Sequence, residues 1–187
     1  MSFALQLYKW LDTVVSYIGY MAGWLMYPLI AVTIFDVITR RFFVLGSTYL
    51  QETEWHLHTV VIMCALGYTY LRNRHVRIDI FRAHWSPRAQ AWIELFGAGF
   101  LVILYTSVLM YYGSRFAYIS WTQGEESSSA MGLTHRWAIK MFIPLGGLFF
   151  FAGGLGVFLR TLVYLVGPES LRDALDEKVA PTIDPTV

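Results

Sequence analysis

Thr13–Phe35 reads TVVSYIGYMAGWLMYPLIAVTIF, 23 residues without one Asp, Glu, Lys or Arg. A bilayer core about 30 Å thick takes roughly 20 apolar residues of helix, so this stretch is long enough to cross it. It is too long for a secretory h-region and no small-residue cleavage site follows, so it is expected to stay as an anchor. Three further stretches share its lack of charge: Trp55–Leu71 (17 residues), Leu95–Ser114 (20) and Met141–Leu159 (19). Composition agrees: hydrophobic residues make up 56% of the 187 and charged residues 14%, where soluble domains carry about 25% charge. Mean hydropathy is +0.49. The expected fold is all-α, an integral membrane protein with four transmembrane helices in the lipid bilayer.

The flanks of these stretches extend and orient them. Thr48 and Gln51 stand at capping-box spacing and start the second helix ahead of Trp55. Ser86-Pro87 offers an N-cap with proline at the first helical position, so the third helix begins before its apolar run. The spans then run about 13–35, 50–71, 93–114 and 141–163, in one domain over residues 1–167. Lys and Arg divide nine to five between the two sides, with five in the Arg72–Glu94 connection. The positive-inside rule places that connection and both termini in the cytoplasm. Phe3, Leu7, Trp10 and Val14 fall on one side of an N-terminal segment, with Ser2, Gln6, Lys9 and Thr13 opposite. That pattern predicts a short helix lying in the membrane surface and turning into the first span. Residues 168–187 carry three prolines and form a cytoplasmic tail, with one short helix near Leu171–Lys178 and little order beyond.

What the spans lack narrows the function. None of the four stretches holds an Asp, Glu, Lys or Arg, whereas a proton or ion pathway usually needs one near mid-membrane. Pro28 and Pro144 do not recur as the matched helix breaks of an inverted-repeat carrier. A small autonomous exporter is therefore disfavoured. Haem ligation needs histidine pairs facing each other on two helices, yet the histidines are His56, His58, His75, His84 and His135, with none in the first or third span. Zinc spacing is absent, and Cys64 stands alone. A net charge of +1 offers no composition-based case for nucleic acid. No catalytic, cofactor or metal site is predicted.

What the spans contain is packing material. Gly19 and Gly23 form a GxxxG, a spacing that lets helix backbones approach or arises by chance in a glycine-tolerant membrane helix. Gly146 and Gly153, with Gly147 and Gly154, repeat seven apart in the fourth span. Leu148, Phe151 and Leu155 lie on the other surface, suited to lipid. Asp36 and Arg40 can pair at i,i+4 or stand solvated at a helix end. Glu52 and Glu54 sit unusually close to Trp55 on the predicted outer side. Glu125, Glu126 and Ser127–Ser129 form an outer loop able to stay exposed or to dock a partner.

Several segments in order resemble one family, the small membrane (DctQ-type) subunit of tripartite ATP-independent periplasmic (TRAP) transporters. They are Asp36-Val37-Ile38-Thr39-Arg40-Arg41-Phe42-Phe43, Tyr49-Leu50-Gln51-Glu52-Thr53-Glu54-Trp55, His75-Val76-Arg77-Ile78-Asp79 followed by Ser86-Pro87-Arg88, and Gly132-Leu133-Thr134-His135-Arg136-Trp137 with Lys140, Pro144 and Gly146. The charged tail and the outer loop are longer than the commonest pattern and suggest a larger subtype. The resemblance implies a non-catalytic subunit in the cytoplasmic membrane of a bacterium or archaeon. Its implied partners are a large membrane subunit, which carries the substrate and sodium sites and moves like an elevator, and a periplasmic solute-binding protein that delivers an organic acid. The small subunit would brace the scaffold and help form the docking surface. Arg40, Glu52, Glu54, His75, Arg77, Asp79, Trp137 and Lys140 are the candidate interface residues, and Gly19, Gly23, Gly146 and Gly153 the candidate packing residues. The alternative is the membrane anchor of a respiratory enzyme, holding quinone or haem.

Overall fold

The computed structural model describes residues 2–43, 46–75, 84–172 and 175. Among them every regular element is helical: α1 (Ser2–Trp24), α2 (Met26–Phe42), α3 (Thr48–Leu71), α4 (Pro87–Phe96), a π-helical turn (Gly97–Val102), α5 (Ile103–Thr122), α6 (Arg136–Lys140), α7 (Phe142–Val166) and α8 (Glu169–Arg172). Three continuous runs, Ser2–Phe42, Pro87–Thr122 and Arg136–Val166, are long and apolar enough to cross a membrane. With α3 these make four rods that alternate in direction.

Local chemistry explains the breaks. Pro28 has no N–H to donate to the Trp24 carbonyl and its ring crowds that carbonyl. The helix accordingly tightens just upstream, where Leu25 N–H donates to Ala22 O at 3.1 Å. Pro144 stands in the same relation to Met141, which separates α6 from α7. At the start of α4, Ser86 Oγ accepts from Ala89 N–H at 3.4 Å with Pro87 at the first helical position. The second helix does begin ahead of Trp55, at Thr48, but Ser47 precedes it in extended conformation and no side chain caps it. The expected separate N-terminal helix is instead the beginning of α1, which is uninterrupted from Ser2 to Trp24. Leu5, Tyr8, Leu11 and Val15 form its buried stripe while Phe3 and Trp10 face outward. In the tail, α8 ends at Arg172, and most of the helix expected near 171–178 lies outside the described residues.

Glycines set the closeness of packing. α3 and α7 run parallel and touch backbone to backbone: a Cβ on Gly67 would overlap the Phe149 carbonyl, and one on Gly153 would overlap the backbone of Gly67. One row of α7 glycines, Gly146, Gly153 and Gly156, meets Met63, Gly67 and Leu71 of α3, whereas Gly147 and Gly154 meet Met110 and Val102 on the other side. α7 is thus the central rod. Gly19 abuts Tyr68, so α1 also closes on α3, but Gly23 has nothing within 4 Å.

Candidate docking sites at the two ends of the bundle

At the end where α2 gives way to α3, the chain is organised around one carboxylate. Glu52, in the second turn of α3, is only 3% exposed. Its Oε1 accepts from Ser127 Oγ and from Arg136 Nη2 at 2.9 Å, and its Oε2 accepts from Leu133 N–H at 2.6 Å. All three donors come from the α5–α6 connection or the residue that opens α6. A carboxylate bound by three donors is well satisfied despite its burial.

The connection is also closed on itself. Ser127 N–H donates to Leu133 O at 3.3 Å and Arg136 N–H to Glu125 O at 3.2 Å. Gly132 is seated so tightly that a Cβ would overlap Ser127 Oγ and come within 2.8 Å of Glu52 Oε2. His135 turns the chain into α6 with φ 61°, a left-handed conformation uncommon outside glycine. Lys140 pairs with Glu125 and lies 3.9 Å from the Phe116 ring centroid. The hydrogen bond from Lys140 holds the Glu125 carboxyl below the usual carboxylate range. Beside this cluster Trp55, His56, Thr59, Arg136 and Lys140 line a cavity of about 230 Å³. His56 Nδ1 faces the Glu52 carbonyl; a carbonyl only accepts, so that nitrogen carries the proton.

The opposite end is closed by Arg160. Its guanidinium donates to Leu71 O at 2.9 Å, to Asn73 Oδ1 at 3.2 Å and to Glu94 Oε1 at 3.0 Å. The side chains of Arg160 and Glu94 are 4% and 7% exposed. One arginine therefore ties together the end of α3, the turn after it, α4 and α7. Asn73 supports the turn with φ 54°. Arg72 adds a second tie, reaching Asp12 at 3.2 Å and Ser16 at 2.8 Å on α1. His75 folds back along α3, with Nε2 3.0 Å from Thr69 Oγ1 and its ring stacked 5.8 Å from Phe150.

The candidate interface residues fall into two groups. Arg40 pairs with Asp36, which is 1% exposed at the α2 end. Glu52, Glu54, Trp137 and Lys140 share that end of the bundle; Trp137 is half-buried, and Glu54 keeps one buried oxygen without a hydrogen-bond partner among the described residues. His75 is at the other end, and Arg77 and Asp79 lie outside the described residues. The sequence reading placed Ser127 only in an outer loop and Arg136 only in a family-like segment, and it did not single out Glu94 or Arg160. For the last two a signal existed: they are the first charges beyond two apolar stretches that meet at the same end.

No curated protein matches the chain significantly. A family model described as the DctQ component of tripartite ATP-independent periplasmic transporters matches residues 29–163, from α2 through most of α7. That match favours a transporter subunit over a respiratory anchor. Taken with the multi-pass helical fold, it places the chain in the DctQ family, the small membrane subunits of TRAP transporters.

Proposed function

We propose that this subunit is a non-catalytic brace in a sodium-coupled system for organic acid uptake. It lies in the cytoplasmic membrane of a bacterium or archaeon with both termini inside. The large membrane subunit carries substrate and sodium, and the closed α5–α6 connection helps to seat the periplasmic solute-binding protein on the outer side. The observation that best supports a static brace is the direct backbone contact of Gly67 with Gly153. Helices that meet backbone to backbone have no side-chain layer between them to slide or repack.

Reconstitution tests this reading. Liposomes holding the large and small subunits, given the binding protein, an organic acid and an inward sodium gradient, should take up the acid. Uptake should cease when any of the three proteins or the gradient is omitted. Transport by this chain alone, or full uptake without it, would refute the assignment.

A further inference from the structure

α3 differs from the other rods in what it turns outward. The outer face of α5 offers Leu104, Tyr105, Val108, Tyr111 and Tyr112, and that of α1 and α2 offers Tyr17, Tyr20, Trp24, Tyr27 and Ile34. Ser107 also faces outward on α5, but its hydroxyl is satisfied by the Ile103 carbonyl at 2.7 Å. Such faces suit hydrocarbon. The free strip of α3 is narrow and contains Trp55, His58 and Ile62, with His58 exposed near the middle of the helix. α3 is also the one long rod absent from the runs apolar enough to cross a membrane by composition. An ionisable side chain at membrane depth is costly against lipid and is normally turned toward protein.

The cavity beside the strip holds guanidinium N–H groups that its own carboxylates do not use. Arg136 bonds through its side chain only to Glu52 among the described residues and keeps 30% of its side chain exposed. Lys140 lines the same cavity and is paired with Glu125, Glu52 is already saturated with donors, and Trp55 forms an aromatic wall. Guanidinium N–H groups left over in a half-buried recess call for a carboxylate, which accepts them with matched geometry.

We infer that the large membrane subunit seats along the Trp55–His58–Ile62 strip of α3 and inserts an acidic side chain into the Arg136–Lys140 cavity. This rests on the assignment of that subunit as partner and specifies which face meets it. The faces of α1, α2 and α5 are left to lipid.

Photo-crosslinking in the assembled complex tests this directly, with a benzophenone amino acid placed at His58, Ile62, Leu104 or Val108. Crosslinks to the large subunit from positions 58 and 62 should exceed those from 104 and 108 by about ten-fold, as expected of a packed interface against a lipid face. Crosslinks from 104 or 108 with none from 58 and 62, or labelling of lipid alone from the α3 positions, would overturn the inference. If the large subunit fails to co-purify with the unmodified chain, the partner assignment itself falls. A second variant addresses the cavity. Thr59→Glu places a carboxylate of the chain's own beside Arg136 and should cut recovery of the large subunit about ten-fold by competition and like-charge repulsion. Thr59→Gln, similar in size but uncharged, should cost clearly less. Equal losses would remove the carboxylate from the inference, and an unchanged melting profile of the isolated Thr59→Glu chain separates either result from misfolding.

Discussion

Arg160→Ala should be among the most damaging single substitutions in the chain. Arg160 and Glu94 are 4% and 7% exposed, and the guanidinium donates to Glu94, Leu71 O and Asn73. Truncation takes the Arg160 guanidinium away from the buried Glu94 carboxylate and removes a donor from the Leu71 carbonyl. Breaking a buried pair from one side costs about 3–5 kcal/mol. For a chain of this size that corresponds to a fall in melting temperature of roughly 10 °C. The double substitution Arg160→Leu with Glu94→Leu removes both charges and the desolvation they carry, so it should lose no more than about 1–2 kcal/mol. Thermal unfolding in detergent, followed by tryptophan fluorescence and far-UV circular dichroism, gives both values. A double variant as unstable as the sum of the two single leucine variants would refute the reasoning, because the cost would then not arise from breaking the pair from one side. So would an Arg160→Ala variant within about 2 °C of wild type.

Three further outcomes follow from the same geometry. Glu52→Ala strips acceptors from Ser127, Leu133 and Arg136 and should cost about 2–4 kcal/mol, with limited proteolysis shifting to the 123–135 connection; an uncut connection would count against Glu52 as its anchor. Gly19→Ala drives a Cβ into Tyr68 whereas Gly23→Ala meets nothing within 4 Å, so the first should lower the melting temperature and the second leave it level or raise it through better helix propensity. Because Lys140 holds Glu125 below the usual carboxylate range, its stabilising contribution is present above the ordinary carboxyl pKa and is lost as pH falls through the lower folded value. Wild type should therefore exceed Glu125→Gln in melting temperature at pH 7, with the gap closing as the pH is taken below the ordinary carboxyl range; a gap independent of pH would contradict the pairing.

The rods were legible because the signal for them is local. A charge-free run long enough for a bilayer reports itself without reference to the rest of the chain, and Ser86-Pro87 marks a helix start by the same kind of short-range chemistry. The Glu52 cluster was legible on one side only. An acidic residue beside Trp55 stands out, yet its three donors lie 75, 81 and 84 residues away, and no periodicity couples such distances. Glu94 and Arg160 each border an apolar stretch, where a charge is ordinarily hydrated; only the antiparallel placement of α4 and α7 removes them from water. The two glycine rows of α7 were visible as a seven-residue repeat, but which neighbour each row meets depends on a rotation about the helix axis that the spacing leaves open. Leu25 and Met141 follow a rule about proline that applies equally to both, and a search for inverted repeats does not look for it.

The π-helical turn at Gly97–Val102 changes how the third rod responds to insertions and deletions. A π turn accommodates one residue more than the α-helical ladder around it, and one residue of α-helix corresponds to about 100° of rotation. The segment before the turn, with Ala91 buried, and the segment after it, with Thr106, Gly113 and Ala117 buried, are kept in phase by that extra residue. Removing a single residue between 97 and 102 would leave the rod helical throughout and its length almost unchanged. It would nevertheless turn the whole of α5 by about a quarter of a circle, swinging Gly113 away from Pro144 and bringing tyrosines inward. The third rod thus behaves as a keyed shaft, in which one residue sets the angular alignment of everything from Ile103 to the Glu52-bound connection.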